Sequence, residues 1–223
     1  MKKILTAAII LALIMSIGIC EENNTVTVII TEGSKIHCFG DVEVTDIDED
    51  GSLTINDALT LAHAAYCASG IDGYKSYTSD YGLSLGLLWG ADNGGAYGYY
   101  INNMSPMDLS DPVKGGDVVH AFIYTDLIMW SDTYCWFDET ELTAEAGETV
   151  TLTLSSMGYD AAWNVVVAPL TGAVLTVNGE ATGAVSGEDG TITFTAPEAG
   201  EYILSAVCDS MILCAPACKL IVK

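Results

Sequence analysis

The chain contains no arginine, and its few lysines are scattered along 223 residues. Lysine and arginine together number 7 against 30 aspartates and glutamates, which gives a formal net charge of −23 at pH 7. Such an acidic surface repels the phosphates of nucleic acids and the anionic heads of lipids. The composition therefore predicts that neither nucleic acid nor an anionic membrane surface is a partner.

The sequence also lacks the short motifs that mark common active sites. It has no nucleophile elbow, no zinc-protease helix and no glycine-rich phosphate loop. Its three histidines, His37, His63 and His120, lie far apart along the chain. Thirty acidic residues produce carboxylate pairs by chance, so carboxylates alone do not indicate a glycosidase. We therefore predict that the protein is not an enzyme.

A long hydrophobic run occurs only at the N-terminus. Two lysines precede an apolar stretch from Ile4 to Met15, which has the length of a signal-peptide core and is shorter than a membrane span. We predict that residues 1–20 are a signal peptide, that the mature chain has no transmembrane segment, and that it is secreted or held at the cell surface. A lipid anchor on Cys20 is an alternative, although Ile19 stands where a lipobox has a small residue.

One stretch, residues 46–57, has a spacing that specifies chemistry. It reads Asp-Ile-Asp-Glu-Asp-Gly-Ser-Leu-Thr-Ile-Asn-Asp and fits the twelve-residue calcium loop of the EF-hand. Gly51 stands at position 6, where the loop turns, and Leu53 at position 8 is expected to point into the core. Calcium takes about six to eight oxygen ligands, which this spacing supplies from a short backbone. The predicted ligands of a Ca²⁺ ion are Asp46, Asp48, Asp50, Ser52, Thr54 and Asp57.

Two features of this loop predict weak binding. Asp57 occupies position 12, where the usual glutamate gives two ligand atoms, and residues 41–45 before the loop alternate like a strand. A helix is expected after the loop, over residues 54–68. Such a site suggests a dissociation constant on the order of 10⁻⁴ to 10⁻³ M, as in extracellular modules. The alternative is a solvated acidic turn that binds no ion.

The rest of the chain is long enough for two domains. The first predicted domain, residues 25–138, combines a β-branched strand at 25–31, the calcium loop, one helix, and strands at 96–102 and 118–124. This order predicts an α+β fold in which one main helix packs on a mixed sheet.

Several segments of this domain occur in the order found in a known family. They are Thr-Val-Thr-Val-Ile-Ile at 25–30, Asn-Asp-Ala-Leu at 56–59, Gly-Gly-Ala-Tyr-Gly-Tyr-Tyr-Ile-Asn-Asn at 94–103 and Asp-Pro-Val-Lys-Gly-Gly-Asp-Val-Val at 111–119. Together they resemble the transcobalamin-like C-terminal domain family, which recurs in exported and surface proteins of Gram-positive bacteria. The resemblance implies a β-grasp-like fold and, for most members, an unknown ligand.

The calcium loop also resembles one half of a type I dockerin, with the pattern Asp-x-Asp-x-Asp-Gly-x-Leu-Thr-x-x-Asp-Ala. A dockerin needs a second such loop further along the chain, and residues 70–74 do not form one. Binding to a cohesin is therefore an alternative function.

Short β-rich segments recur through the second predicted domain, residues 139–223. They lie at 148–154, 173–177, 190–195, 200–206 and 218–223, with glycine-rich turns between them. This spacing predicts an all-β sandwich. The segment Thr-Ala-Pro-Glu-Ala-Gly-Glu-Tyr-Ile-Leu at 195–204 resembles the last hairpin of bacterial immunoglobulin-like domains, which implies an immunoglobulin-like sandwich that serves as a spacer or an adhesive module.

Seven cysteines occur, and one of them lies in the predicted signal peptide. Export permits disulfides, while buried free thiols are the alternative. A zinc site from His63 and Cys67 is a further alternative that lacks a second clear pair of ligands. The predicted disulfides are Cys38 with Cys67, and one pair among Cys208, Cys214 and Cys218.

Aromatic residues are concentrated late in the first predicted domain. Core packing is one interpretation, and a ligand face is the other, because flat rings stack on sugars, corrins or peptide side chains over a large area. In the second interpretation residues 126–138 form a capping loop. The predicted ligand-binding residues are Trp89, Tyr97, Tyr99, Trp130 and Trp136.

Together these patterns predict an exported, calcium-binding protein without catalytic activity that acts by binding or adhesion. Its predicted partners are calcium and an unidentified surface protein, glycan or small molecule. The vertebrate relative that names the resembling family uses this domain to help cover a cobalamin, so capture of a flat ligand such as a corrinoid is an alternative. Calcium is expected to stabilise the fold by cross-linking carboxylates that otherwise repel one another.

Overall fold

The computed structural model describes residues 23–223, so the predicted signal peptide and Cys20 lie outside the described residues. The described chain is mostly β, with one α-helix and mixed sheets. This confirms the predicted fold class, an α+β unit with one main helix followed by an all-β sandwich. Within residues 23–223 no helix is long and apolar enough to span a bilayer.

The first half contains a four-stranded mixed sheet and one helix. The strands follow the order β2-β1-β6-β5, in which β1 and β6 are parallel and the other neighbours are antiparallel. A two-stranded antiparallel hairpin, β3-β4, stands apart from this sheet. The elements are β1 (Thr25–Glu32), β2 (Lys35–Glu43), α1 (Ile55–Tyr66), a 3₁₀ turn (Gly70–Gly73), β3 (Lys75–Ser79), β4 (Gly82–Leu87), β5 (Tyr97–Ile101) and β6 (Val118–Ile123).

The helix α1 lies on one face of this sheet. Alternate residues of β1 face it, since Val26, Val28 and Ile30 are fully buried in the same core as Ile55 and Leu59 of the helix. The far end of the helix is anchored on β2: the Tyr66 hydroxyl donates a 2.7 Å hydrogen bond to the Asp41 carbonyl. Gly40 leaves the room for this ring, because a Cβ there would lie 2.8 Å from it.

The second half is a sandwich of two five-stranded sheets. One sheet has the order β10-β9-β7-β15 with β13 also paired to β9, and the other has the order β12-β11-β14-β16-β8. The strands are β7 (Thr133–Phe137), β8 (Glu141–Ala144), β9 (Thr149–Tyr159), β10 (Val165–Pro169), β11 (Val174–Val177), β12 (Glu180–Val185), β13 (Thr191–Thr195), β14 (Gly200–Val207), β15 (Leu213–Cys214) and β16 (Cys218–Val222).

Alternation along these strands produces one apolar core between the sheets. Leu152 and Ile192 reach it from one sheet, and Leu175, Leu204 and Leu220 reach it from the other; all five are fully buried. The neighbours of Leu152 on β9 and of Leu220 on β16 are more exposed, as expected for strands that pack on one side, whereas Thr176 beside Leu175 and Ser205 beside Leu204 are also buried.

The predicted capping loop at 126–138 is wrong over its second part, which is a strand. Residues 133–137 form β7, which pairs with β9 and with β15. Tyr134, Cys135 and Phe137 are buried there, while Trp136 between them is half-buried. β7 therefore belongs by its hydrogen bonds to the second half, while the domain limits themselves stay a prediction.

An aromatic cluster joins the two halves. Phe122 of β6 packs with Tyr134 of β7, Met157 of β9 and Cys214 of β15. Backbone hydrogen bonds reinforce this contact, among them one of 3.0 Å from the Ala215 amide to the Gly33 carbonyl in the β1–β2 turn.

The disulfides predicted for Cys38–Cys67 and within the 208–218 group are not formed in the structure, where the six cysteines of the described chain carry free thiols. The buried thiols pack instead as small apolar groups. Cys38 lies in the first core, and its thiol donates to the Val28 carbonyl at 3.8 Å. Burial raises the pKa of Cys38 to about 12, and the neighbouring Cys67 adds to that rise.

Candidate metal centre

The predicted calcium loop connects β2 to α1, so the structure confirms a strand–loop–helix order at this point. The helix begins with a capping box. The Thr54 hydroxyl accepts a 3.2 Å hydrogen bond from the Asp57 amide, while the Asp57 carboxylate accepts 2.9 Å and 2.7 Å bonds from the amide and the hydroxyl of Thr54. These bonds satisfy amides that the first helical turn leaves without partners.

The other carboxylate oxygen of Asp57 holds the loop itself. It accepts a 3.0 Å hydrogen bond from the Ile47 amide, ten residues earlier in the chain. Asp57 is fully buried and therefore ties the beginning of the loop to the beginning of the helix. The segment around Val113 also holds this loop in place, because the Val113 amide donates a 2.8 Å hydrogen bond to the Leu53 carbonyl.

Three of the predicted ligands converge. Asp46, Asp48 and Asp50 each offer a carboxylate oxygen, and these oxygens all lie within 4.8 Å of one another. Oxygens around one Ca²⁺ ion are at most about 5 Å apart, because each lies roughly 2.3–2.6 Å from the metal. The three carboxylates therefore fit a single hard cation.

Backbone amides orient two of these carboxylates. The two oxygens of Asp46 accept 3.1 Å and 2.8 Å bonds from the amides of Asp50 and Gly51, and Asp50 accepts a 2.8 Å bond from the Ser52 amide. Gly51 adopts a left-handed backbone with φ of 92°, which glycine reaches without steric cost. The loop thus turns where the calcium pattern requires glycine.

The charges of the cluster oppose one another in the absence of a cation. The pKa of Asp48 is raised by desolvation and then by the negative charges of Asp50, Asp57 and Asp46. Like charges held close together disfavour the ionised form, whereas a divalent cation among them would reverse the effect. The electrostatics of the loop therefore favour a bound cation.

The other predicted ligands lie in different settings. Ser52 is exposed at the turn, whereas the side chains of Thr54 and Asp57 are engaged with each other in the helix cap. The capping role had a sequence signal of its own, because Thr54-Ile-Asn-Asp57 fits the pattern of a capping box. Asp57 fits both the calcium-loop pattern, as its twelfth position, and the capping-box pattern. In this structure its carboxylate completes the helix cap.

The aromatic residues predicted to bind a ligand are dispersed. Tyr97, Tyr99 and Trp89 pack partly buried against the first core. Trp136 packs at the junction of the halves, and Trp130 is 61% exposed beyond it. They therefore do not form one continuous ligand face.

Sequence reasoning missed the role of His63. Its ring is fully buried, with Nδ1 2.6 Å from the Leu59 carbonyl and Nε2 3.0 Å from the Trp89 amide, so Nδ1 donates and Nε2 accepts. Burial lowers the pKa of His63, although the bond to Leu59 opposes this shift. Because both nitrogens have protein partners, His63 supports the turn at Trp89 and is not placed as a zinc ligand.

Comparison with known proteins adds little to this geometry. No family model and no curated protein matches the chain. A solved structure described as the basis of Dscam isoform specificity is 14% identical, has a TM-score of 0.27, and covers 51% of this chain and 26% of that one. The N-terminal four Ig domains of Dscam1 isoform 9.44 are 10% identical, have a TM-score of 0.26, and cover 89% of this chain and 43% of that one.

The chain thus spans less than half the length of either of these structures. The match is a distant structural similarity to immunoglobulin-like domains, and TM-scores this low carry no argument about function. The resemblances to the transcobalamin-like family and to a dockerin stay predictions.

Proposed function

We propose that this protein is an exported, calcium-stabilised binding or adhesion module without catalytic activity. The observation that carries the proposal is the convergence of Asp46, Asp48 and Asp50 on one point of the loop that begins α1. The signal-peptide pattern supports export, and the β-sandwich of the second half, an architecture common among cell-surface domains, supports binding.

In this proposal the ion completes the connection between sheet and helix. Asp57 already ties the loop to the helix cap from the buried side, while Asp48 and Asp50 are exposed and Asp46 is half-buried on the outer side. A Ca²⁺ ion would neutralise these outer charges and cross-link the loop across its turn at Gly51. Backbone oxygens and water would complete the coordination shell, as is common for calcium.

An affinity on the order of 10⁻⁴ to 10⁻³ M suits an extracellular medium rich in calcium. Within residues 23–223 the loop is the one cluster of at least three metal-ligating side chains, and the segment where a dockerin would have its second loop is instead the 3₁₀ turn Gly70–Gly73. The geometry therefore favours a structural ion over a cohesin-binding pair of loops.

Calorimetric titration of the calcium-free protein with CaCl₂ tests the proposal. We expect one site per chain, and a rise in melting temperature when calcium is added at millimolar concentration. Asp48→Asn should abolish both effects. Asp209→Asn is the matched control, because it removes an exposed carboxylate far along the chain in the second half.

Two results would overturn the proposed site. One is a melting temperature that EGTA leaves unchanged in the wild type. The other is calcium binding that survives in Asp48→Asn at the wild-type affinity, since the ion would then bind elsewhere on the acidic surface.

A further inference from the structure

A second candidate site lies at the junction of the two halves. It is a cavity of about 240 Å³ on the face of the first sheet that points away from α1. His120 of β6 contributes to its floor, and Trp136 of β7 lines it together with the residues that follow that strand. The cavity is smaller than the roughly 300 Å³ at which pockets for drug-sized ligands begin, so it suits a single small ring.

One wall of the cavity is aromatic and fixed in position. Trp136 is half-buried, and its ring centroid lies 5.5 Å from that of Tyr134. Tyr134, which also lines the cavity, is stacked on Tyr100 at 3.9 Å, so the indole has a fixed ring beside it. An indole held this way offers a rigid flat surface at low entropic cost.

Polar groups with unused hydrogen-bonding capacity surround this wall. The Asn103 carbonyl oxygen accepts a 2.9 Å bond from the Tyr134 hydroxyl, which orients the amide and leaves its NH₂ group without a partner within residues 23–223. One oxygen of Asp138 accepts from the Thr153 amide at 2.9 Å, which leaves the second oxygen available. The exposed side chains of Glu139 and Thr140 also line the cavity.

Among residues 23–223 no lysine lines this cavity, and its one histidine is neutral. His120 is buried, and its Nε2 lies 3.1 Å from the Thr31 hydroxyl. Burial lowers the pKa of His120 to about 3, so the ring is neutral at physiological pH. With Asp138 and Glu139 at the rim, the site repels acidic ligands such as uronic acids and phosphates.

We propose that the junction cavity binds a neutral monosaccharide unit of a glycan, with the sugar ring stacked on Trp136 and its hydroxyl groups bonded to Asn103, Asp138 and Glu139. The assignment rests on the proposed binding function and names the class of its ligand. A sugar ring has an apolar face of C–H groups and an edge of hydroxyls, which matches an aromatic wall with carboxylate and amide groups beside it. The aromatic carbon rings that line the cavity, Tyr134, Trp136 and Phe137, all come from β7, whereas a site for quaternary ammonium groups surrounds its ligand with rings from several sides.

Saturation-transfer NMR and isothermal titration with a panel of small probes test this inference on the calcium-loaded full chain. The neutral probes are the methyl glycosides of glucose, galactose and mannose, together with N-acetylglucosamine; glucuronate and choline are the charged probes. We expect at least one neutral sugar to bind with a millimolar dissociation constant and glucuronate to bind at least tenfold more weakly.

Variants locate the site. Trp136→Ala should weaken binding of the neutral sugar at least tenfold, and Trp130→Ala, which removes an exposed indole outside the cavity, should leave it unchanged. Glu139→Gln keeps the size of an exposed side chain and should weaken binding severalfold without lowering the melting temperature. It therefore tests the site even where Trp136→Ala destabilises the fold.

The inference is overturned by a panel in which no neutral sugar binds, by binding that Trp136→Ala and Glu139→Gln leave unchanged, or by binding of choline alone. Asp48→Asn separates this result from the calcium proposal, because it should lose calcium and keep the sugar. Calcium binding with no sugar binding would remove this inference and leave the proposed metal centre intact.

Discussion

The two halves of the chain bury different kinds of polar side chain. The sheet-and-helix half buries titratable groups, namely Asp57, His63, Asp117 and His120, and Asp132 is buried in the segment that leads into β7. From residue 139 onward the buried polar side chains are the hydroxyls of Thr176, Ser186 and Ser205. Both halves nevertheless have a continuous apolar core of comparable composition.

This difference shows where solution conditions can act on the molecule. A buried hydroxyl needs one hydrogen bond and responds little to pH. The free-energy cost of burying a carboxylate or an imidazole, in contrast, depends on pH, on bound ions and on neighbouring charges. The metal loop, the histidines and the helix cap all belong to the first half. We therefore expect the first half to respond to calcium and protons and the sandwich to serve as an inert support.

The largest expected effect comes from truncating each core in turn. Leu59→Ala in α1 and Leu204→Ala in β14 remove fully buried side chains of equal size, so each should lower the free energy of unfolding by about 2–5 kcal/mol. Because the aromatic cluster around Phe122 and Tyr134 joins the halves, both variants should shift one shared thermal transition, by about 2–4 °C per kcal/mol.

Differential scanning calorimetry measures this directly. Two transitions, with Leu59→Ala moving only one and Leu204→Ala only the other, would show that the halves unfold independently. The two halves would then differ in their unfolding as well as in the polar groups that they bury.

The next effect concerns pH. Burial lowers the pKa of His120 to about 3 and also lowers the pKa of His63, while both rings take up protons near pH 6.5 once unfolded. The unfolded chain therefore binds more protons below pH 6.5, so stability is fully present above that pH and falls as the solution is acidified. At about 1.4 kcal/mol per pKa unit, His120 alone accounts for a loss on the order of 3 kcal/mol by pH 4.

Urea unfolding of the calcium-free protein at pH 7 and pH 4 measures this slope. His120→Gln, which cannot gain a proton, should flatten it, and a mutant as pH-sensitive as the wild type would contradict the assignment. The control is His37→Gln, whose wild-type ring is paired with the Glu32 carboxylate at 3.0 Å.

A smaller effect separates the buried aspartate of the loop from the outer ones. Asp57→Ala removes the acceptor of three hydrogen bonds at the helix cap and loop, so it should cost about 1–3 kcal/mol with or without calcium. Asp48→Asn relieves repulsion, because the pKa of Asp48 is raised, and should leave the calcium-free protein as stable as the wild type or slightly more so. Chemical denaturation in EGTA measures the free energy of unfolding of both variants. Equal losses in that free energy would contradict the distinction between the buried Asp57 and the outer Asp48.

The sequence predicted the parts of the fold that have a local pattern. Residues 25–31 alternate and form β1, and the apolar spacing after Thr54 marks α1, because burial on one side of a strand or helix imposes its period on the residues. β10 was missed for the opposite reason: Val165–Pro169 is an unbroken apolar run that ends in proline and is exposed on both faces of an edge strand. β7 was missed because its aromatics suggested a ligand loop.

The two candidate sites also differ in how far the local sequence encodes them. The aspartates at 46, 48 and 50 come together within five residues, so spacing alone located them. The junction cavity depends on how β6 and β7 meet across the molecule, and nothing in the local sequence around Trp136 or Asn103 encodes that meeting. The sequence identified Trp136 as a ligand-binding candidate but grouped it with residues that the fold places elsewhere.

The smallest effect tests whether surface charge contributes to the stability of the sandwich. Lys219 of β16 lies 3.6 Å from Glu141 and 4.0 Å from Glu201, and all three side chains are substantially exposed. Exposed ion pairs contribute about 0–1 kcal/mol, so Lys219→Met should change the unfolding free energy by less than about 1 kcal/mol, and added salt should reduce the difference further. Denaturation in 0.05 M and 1 M NaCl, each compared with the wild type, measures both quantities. A loss well above that limit would mean that the second half also depends on charge, because a rare cation in a chain of net charge −23 would then offset the repulsion between its two acidic neighbours.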